Sequence, residues 1–183
     1  KCGERFMRDE VFSRMRDAGF VALCTGAESA DPRVLKHVMK GATVEHNSAF
    51  VSLCVANQIK PKVFTMVGLP GEDKQSVEAL RDWLVHMAHR GLTDADVSIC
   101  TPFEGTPLRE HPEKYENLGW HCAWDELRWD EDVINYKGRP GEYRSYVWTD
   151  ALSRDEIVAA RAWVESEFRS AAGLAPLLAK DDG

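Results

Sequence analysis

Three segments of the sequence combine glycine with polar or aromatic residues at the point where an apolar, strand-like run ends. They are residues 25–29 (TGAES), 67–72 (VGLPGE) and 101–107 (TPFEGTP). Glycine allows the backbone to turn tightly or to lie close to a bound molecule. The carboxyl ends of parallel strands meet at one edge of a sheet, where α/β proteins bind their ligands. The spacing therefore predicts a ligand site assembled from three loops.

Glu28 follows the first of these runs directly, and a carboxylate in that position is costly to desolvate unless a donor meets it. We expect the donor to be a pair of ligand hydroxyls or a nearby cation, and Lys40 is available at the end of the next predicted helix. A second interpretation stays open. The dipole of that helix favours an acid near its start and a base near its end without any ligand.

Alternating helices and strands are predicted to position the three loops. Apolar periodicity and capping residues predict helices over residues 8–18, 31–39, 43–56 and 73–90. Short apolar runs predict strands over residues 20–24, 62–67 and 95–101. This alternation is typical of parallel strands joined by right-handed crossovers, so the predicted fold class is α/β.

The sequence changes in character after Pro112. Four of the 6 tryptophans lie between residues 120 and 148, and they are predicted either to line a substrate cavity or to pack as a small satellite core: Trp120, Trp124, Trp129 and Trp148. Residues 133–136 and 143–148 are predicted to form a hairpin across residues 138–141. Ser153 begins a capping box, which predicts a final helix with Ile157, Ala160, Val164 and Phe168 on one face.

Composition excludes several classes of function. Lys and Arg number 23 against 30 Asp and Glu, a net charge of −7, which disfavours nucleic acid as a partner. No apolar run has the length of a membrane span, and no signal peptide is recognisable. The 5 cysteines are scattered singly, so we expect a cytoplasmic protein in which Cys24, Cys54 and Cys100 are buried and no metal site is built from this chain alone. His86 and His89 are more consistent with the edge of a helix face than with metal ligands.

The motifs at residues 26–41, 68–72 and 101–108 together resemble the second half of radical S-adenosylmethionine (SAM) enzymes. The resemblance covers about residues 1–112. It is greatest to the branch in which a cobalamin-binding domain often precedes the catalytic barrel, so cobalamin is a candidate cofactor. It implies that residues 1–112 form strands three to six of a partial (β/α)6 TIM-like barrel. Residues 113–183 would then be a C-terminal α/β extension with a hairpin and a helix.

The resemblance also implies roles at the polar end of SAM. Glu28 would accept hydrogen bonds from the ribose diol, with Ser29 beside it. Lys40 would meet the methionine carboxylate, and Arg5 is the alternative for that contact.

At the other end of SAM, the resemblance implies an adenine site. The backbone at Met66, Val67 and Gly68 would hold the base, and Pro102 and Phe103 would form a wall against it.

The three-cysteine loop (CxxxCxxC) that holds the 4Fe-4S cluster in this family is absent from the sequence, as are the first two strands. The chain does not begin with Met, so we expect a fragment that is inactive alone and whose partner is the missing N-terminal half of the barrel. The parent enzyme would cleave SAM reductively to a 5′-deoxyadenosyl radical, for methylation, cyclisation or rearrangement of a small-molecule or peptide substrate.

A non-catalytic α/β binding or assembly module that retains the SAM-site loops is the alternative. In either case an open sheet edge predicts self-association.

Overall fold

The computed structural model describes residues 6–127 and 142–177. Its helices are α1 (Asp9–Asp17), α2 (Pro32–His37), α3 (Val44–Ala56), α4 (Lys74–His89), α5 (Pro107–Glu110), α6 (Glu113–Glu116) and α7 (Arg154–Ala171), with a 3-10 turn at Trp124–Glu126. Its strands are β1 (Ala22–Glu28), β2 (Lys60–Val67), β3 (Ala95–Ile99), β4 (Trp120–Cys122) and β5 (Val147–Thr149).

Strands β1, β2 and β3 form one parallel sheet in that order, with β2 in the middle. Successive strands are separated by helices, as the alternating pattern predicted. Along β2 the residues Val63, Thr65 and Val67 are fully buried, whereas the residues between them are half-buried. Val63 and Val67 belong to a hydrophobic core shared with α3, α4 and α7. The α/β class is confirmed.

Side-chain caps fix where the helices begin. Asp31 accepts a hydrogen bond from the backbone N–H of Arg33 at the start of α2 (2.7 Å). Thr43, Asp73 and Ser153 each form a capping box with the third residue of their helix. A cap satisfies backbone N–H groups that have no partner inside the helix, which is why these positions were recognisable in the sequence.

The first strand lies further along the chain than predicted. Phe20 and Val21 precede it and are 49% and 80% exposed, whereas the strand continues to Glu28. The prediction was wrong because it assumed a strand buried on both faces, and β1 is an edge strand of the described sheet. Cys24 on this strand is accordingly exposed, contrary to prediction, while Cys54 and Cys100 are buried as predicted.

Residues after 112 join the same core as the parallel sheet. Trp120, Val147 and Ile157 are each 0% exposed within it, so Trp120 does not belong to a satellite core. Strand β5 pairs antiparallel with β4. The first arm of the predicted hairpin and Trp129 lie outside the described residues, and the domain boundary at residue 112 stays a prediction. No helix in the two described ranges is both long enough and apolar enough to cross a membrane.

Candidate functional site

The end of β1 carries an ion pair. Glu28 is the last residue of the strand, with φ of 62°, and its Oε1 contacts Nζ of Lys40, which follows α2. The two side chains are 15% and 32% exposed. The other carboxylate oxygen, Oε2, is buried and has no hydrogen-bond partner among the described residues. Lys40 therefore provides a partner for only one of the two oxygens of this carboxylate, and a carboxylate is costly to desolvate.

Gly26 provides the space that this pair occupies. A Cβ atom at Gly26 would lie 2.7 Å from Lys40 Nζ and would also collide with Glu28 Oε1. The glycine thus leaves room for two side chains that approach the backbone closely, and no turn is involved.

A cavity of about 430 Å³ opens beside Lys40. Its volume lies within the range of small-molecule sites. Its lining includes Met7, Cys24, Gly26, Met39, Lys40 and His46.

Ser29 forms a hydrogen bond with the backbone at the start of α2. It is 1% exposed, and its Oγ accepts a hydrogen bond from the backbone N–H of Asp31 (3.1 Å). Its predicted place beside Glu28 in a SAM site stays a prediction. The contact that the structure shows, however, is to the helix cap.

Arg33 joins the ends of β1 and β2. Its Nη2 donates to Asp31 Oδ2 (2.7 Å) and to Asp73 Oδ2 (3.1 Å), the caps of α2 and α4. The hydrogen bond to Asp31, followed by that to Asp73, raises the pKa of Arg33 above its ordinary value. Sequence reasoning missed this residue. The only signal was its position two residues after a capping aspartate, and the second partner is 40 residues away.

Glu72 closes the loop at the end of β2. It is 1% exposed; its Oε2 accepts from the backbone N–H of Gly68, and its Oε1 is buried without a hydrogen-bond partner in the described part of the chain. Burial raises the pKa of this carboxyl to about 8, against the opposing effect of hydrogen bonds from the backbone of Gly68 and Leu69. The group is therefore predominantly neutral at pH 7. The sequence showed Glu72 within a motif but gave it no role.

The backbone predicted to hold adenine is largely engaged within the protein. The carbonyl of Val67 accepts from the N–H of Cys100 (2.8 Å), and the carbonyl of Gly68 accepts from the indole Nε1 of Trp120 (2.9 Å). Val67 and Gly68 are buried, while Met66 is half-buried. Of this trio, Met66 offers the most surface to a ligand.

The third strand end carries the predicted wall. Pro102 is buried, and the side chain of Phe103 is 47% exposed. The hydroxyl of Thr106 donates to the carbonyl of Phe103 (2.6 Å), which holds the turn after β3. Arg5 lies outside the described residues.

Comparisons with known proteins bear on the family and the fold of this chain. Residues 2–84 match the family model of the radical SAM superfamily. A protein of Pyrococcus horikoshii named as an uncharacterized methyltransferase is 27% identical over 103 residues, which are 56% of this chain and 22% of that protein. The structure of TsrM from Kitasatospora setae, a radical SAM methyltransferase with cobalamin and a 4Fe-4S cluster bound, superimposes with a TM-score of 0.53 at 23% identity. The alignment covers 66% of this chain and 24% of TsrM.

The segment at residues 2–84, a little under half of the chain, is therefore similar to the radical SAM superfamily. The α/β fold of the chain is similar to that of a radical SAM enzyme. The chain spans less than a quarter of the length of the two proteins named above.

The described residues fit one of the family's two shared cofactors. The unpartnered Oε2 of Glu28 is an acceptor of the kind that a ribose hydroxyl would satisfy. No group of three or more His, Cys, Asp or Glu residues that could hold a metal ion occurs within residues 6–127 and 142–177. The residues described thus fit SAM and do not fit the cluster.

Proposed function

We propose that this chain forms the SAM-binding side of a radical SAM methyltransferase. The observation that carries the proposal is the buried Oε2 of Glu28, which lacks a donor at the end of a strand in a superfamily that uses SAM. Two hydroxyl groups of a ribose would supply donors to this carboxylate in a geometry that a single lysine does not.

Lys40 has a second role in the proposal. Its ammonium group carries three N–H donors, and one of them faces Glu28 Oε1. The others are available to a carboxylate such as that of the methionine part of SAM. Ser29 supports this corner by holding the start of α2. Arg5 stays the alternative partner for the carboxylate.

The adenine side of the proposed site lies along the ends of β2 and β3. Met66 presents a half-buried side chain, and Pro102 and Phe103 lie at the next strand end. The buried backbone of Val67 and Gly68 would support this surface. We propose that these strands belong to a partial barrel and that residues 113–183 extend it.

The proposed enzyme also contains a 4Fe-4S cluster and further strands of the barrel. The described residues of this chain provide neither. When bound, a reduced cluster would supply the electron for reductive cleavage of SAM. The part of this chain is to hold and orient SAM. Among methylation, cyclisation and rearrangement, we favour methylation because both relatives are named as methyltransferases. Cobalamin is included as a second cofactor because TsrM contains it.

The test is calorimetric titration of the chain with SAM and with its 2′-deoxy analogue. We expect weak binding of SAM, since only part of the site is present, and at least tenfold weaker binding of the analogue. Glu28→Gln should weaken SAM binding about tenfold and remove the discrimination between the two ligands. Glu78→Gln, on the exposed side of α4, is the matched control and should change neither.

Two results would contradict the proposal. If SAM binding and the preference for the diol both survive Glu28→Gln, the ribose assignment is wrong. If no SAM binding is detected at millimolar concentration, the alternative of a binding or assembly module that retains these loops is favoured.

A further inference from the structure

The loop at residues 68–72 is held by the segment beyond residue 112. The indole Nε1 of Trp120, on β4, donates to the carbonyl of Gly68 (2.9 Å). The hydroxyl of Thr149, on β5, donates to the carbonyl of Glu72 (3.0 Å). The two donors therefore bind the first and the last residue of the loop.

Both donors belong to one rigid unit. Trp120 and Thr149 are directly opposite each other in the antiparallel pair of β4 and β5. Trp120 is 0% exposed and Thr149 is 5% exposed. Because their relative position is fixed by the strand pairing, the distance between the two anchored carbonyls is fixed as well.

Packing around Gly68 strengthens the connection. A Cβ atom at Gly68 would lie 3.0 Å from Val147 Cγ2 and 3.4 Å from Ile157 Cδ1. Strand β5 and helix α7 thus lie directly against the backbone of the loop. The absence of a side chain at Gly68 is what permits this contact.

We propose that Trp120 and Thr149 are positioning residues that fix the loop at residues 68–72 for SAM binding. This inference rests on the proposed function. Gly68 and Gly71 both have positive φ (84° and 77°), and glycine loses more conformational freedom on ordering than any other residue. Two external anchors hold such a loop in one conformation before a ligand arrives, and this preorganisation lowers the cost of binding.

The first experiment measures amide hydrogen exchange in Trp120→Phe, which removes the indole donor and retains most of the ring volume. We expect exchange at residues 68–72 to become at least tenfold faster, because Gly68 loses its anchor. Trp83→Phe is the matched control, since Trp83 is also buried and its Nε1 donates to Ser48 Oγ (2.8 Å) on α3. It should leave exchange at residues 68–72 unchanged.

A second pair of variants covers the case in which Trp120→Phe does not fold. Thr149→Val removes the hydroxyl at nearly constant volume, and Thr149→Ser retains it. We expect faster exchange at residues 68–72 in the first variant and wild-type exchange in the second. Equal exchange in both Thr149 variants and the wild type overturns the inference.

SAM titration separates this inference from the proposed function. Weakening of SAM binding about fivefold by Trp120→Phe or Thr149→Val, with no change in Trp83→Phe, supports the positioning role. If Glu28→Gln weakens binding but the anchor variants do not, the inference is overturned and the proposed function stands. If the wild type does not bind SAM, the proposed function fails, and the part of the inference that concerns SAM fails with it. Exchange at residues 68–72 then decides only whether the two residues anchor the loop.

Discussion

The ends of β1 and β2 lie side by side in one sheet, and the residues that follow them make different kinds of contact. At the end of β2, Glu72, Trp120 and Thr149 bind the loop backbone, and all three are buried. At the end of β1, the Glu28–Lys40 pair is partly exposed and lies beside a cavity.

The difference indicates that the two neighbouring loops have different roles. Bonds that the protein makes to itself hold the β2 loop in place. The β1 end is accessible from a cavity, as a ligand site must be. We therefore expect changes at the β2 end to act mainly on stability and changes at the β1 end to act mainly on binding.

The largest expected effect is that of Trp120→Ala. Removing a fully buried indole leaves a cavity and an unsatisfied carbonyl at Gly68, and we expect a loss of about 3–5 kcal/mol in the free energy of unfolding. Urea denaturation followed by circular dichroism measures it. Trp163→Ala, at a site that is 38% exposed, should cost far less. Equal losses in the two variants would show that the burial of Trp120 at the end of β2 adds nothing to stability.

The next effect is a pH dependence of stability due to Glu72. Its folded-state pKa of about 8 lies above the ordinary value of 4.5, so the folded protein keeps a proton that the unfolded chain has released between these values. This contribution to stability is fully present below pH 4.5 and is lost as the pH rises to about 8, with a slope of about 1.4 kcal/mol per pH unit.

Glu72→Gln is neutral at every pH and should remove that slope. Between pH 5.5 and 7.5 we expect the stability of the wild type to fall relative to the variant by about 2–3 kcal/mol. Parallel stability curves for the two proteins over this range would mean that Glu72 is ionised in the folded state.

Two glycine substitutions compare the strand ends directly. Gly71→Ala places a side chain at φ of 77° and against the ring of His37, whose Cε1 would be 2.7 Å away, and should cost about 2 kcal/mol or more. Gly26→Ala meets only the flexible ends of Glu28 and Lys40 and should cost about 1 kcal/mol or less. Thermal unfolding measures both, and a reversed order would contradict the comparison.

Loss of a helix cap is the other small effect that we expect. Asp73→Ala removes the side chain that accepts from the backbone N–H of Ser76 (2.8 Å) at the start of α4, and should cost about 1 kcal/mol. Asp82→Ala, in the middle of the same helix, is the control. A cost for Asp82→Ala as large as that for Asp73→Ala would attribute the effect to charge rather than to capping.

The sequence predicted the features that are determined locally. The caps at Thr43, Asp73 and Ser153 were recognisable because a capping residue acts on backbone only two or three positions away. The alternation of helices and strands was recognisable for the same reason. Glu28 and Lys40, 12 residues apart, were close enough in the pattern to be considered together.

Contacts between distant residues were not predictable in this way. The bonds from Trp120 to Gly68 and from Thr149 to Glu72 span 52 and 77 residues, and no local periodicity encodes them. Strand β1 was misplaced because the prediction relied on a run of apolar residues, which indicates burial. An edge strand forms instead where the backbone pairs with a neighbouring strand, whatever its apolar content. The roles of Glu28, Ser29, Lys40, Met66, Pro102 and Phe103 toward SAM stay predictions.

The bond between Thr149 and Glu72 has a consequence for the order in which the protein is made. A ribosome delivers the sheet of β1, β2 and β3 well before it delivers β5, so the nascent chain carries a loop whose two end carbonyls still face water. That loop acquires its final shape only when residue 149 has been synthesised and has returned to meet it. Translation that stops at residue 112 would yield the strands and the helix caps without the two hydrogen bonds that hold the loop at residues 68–72.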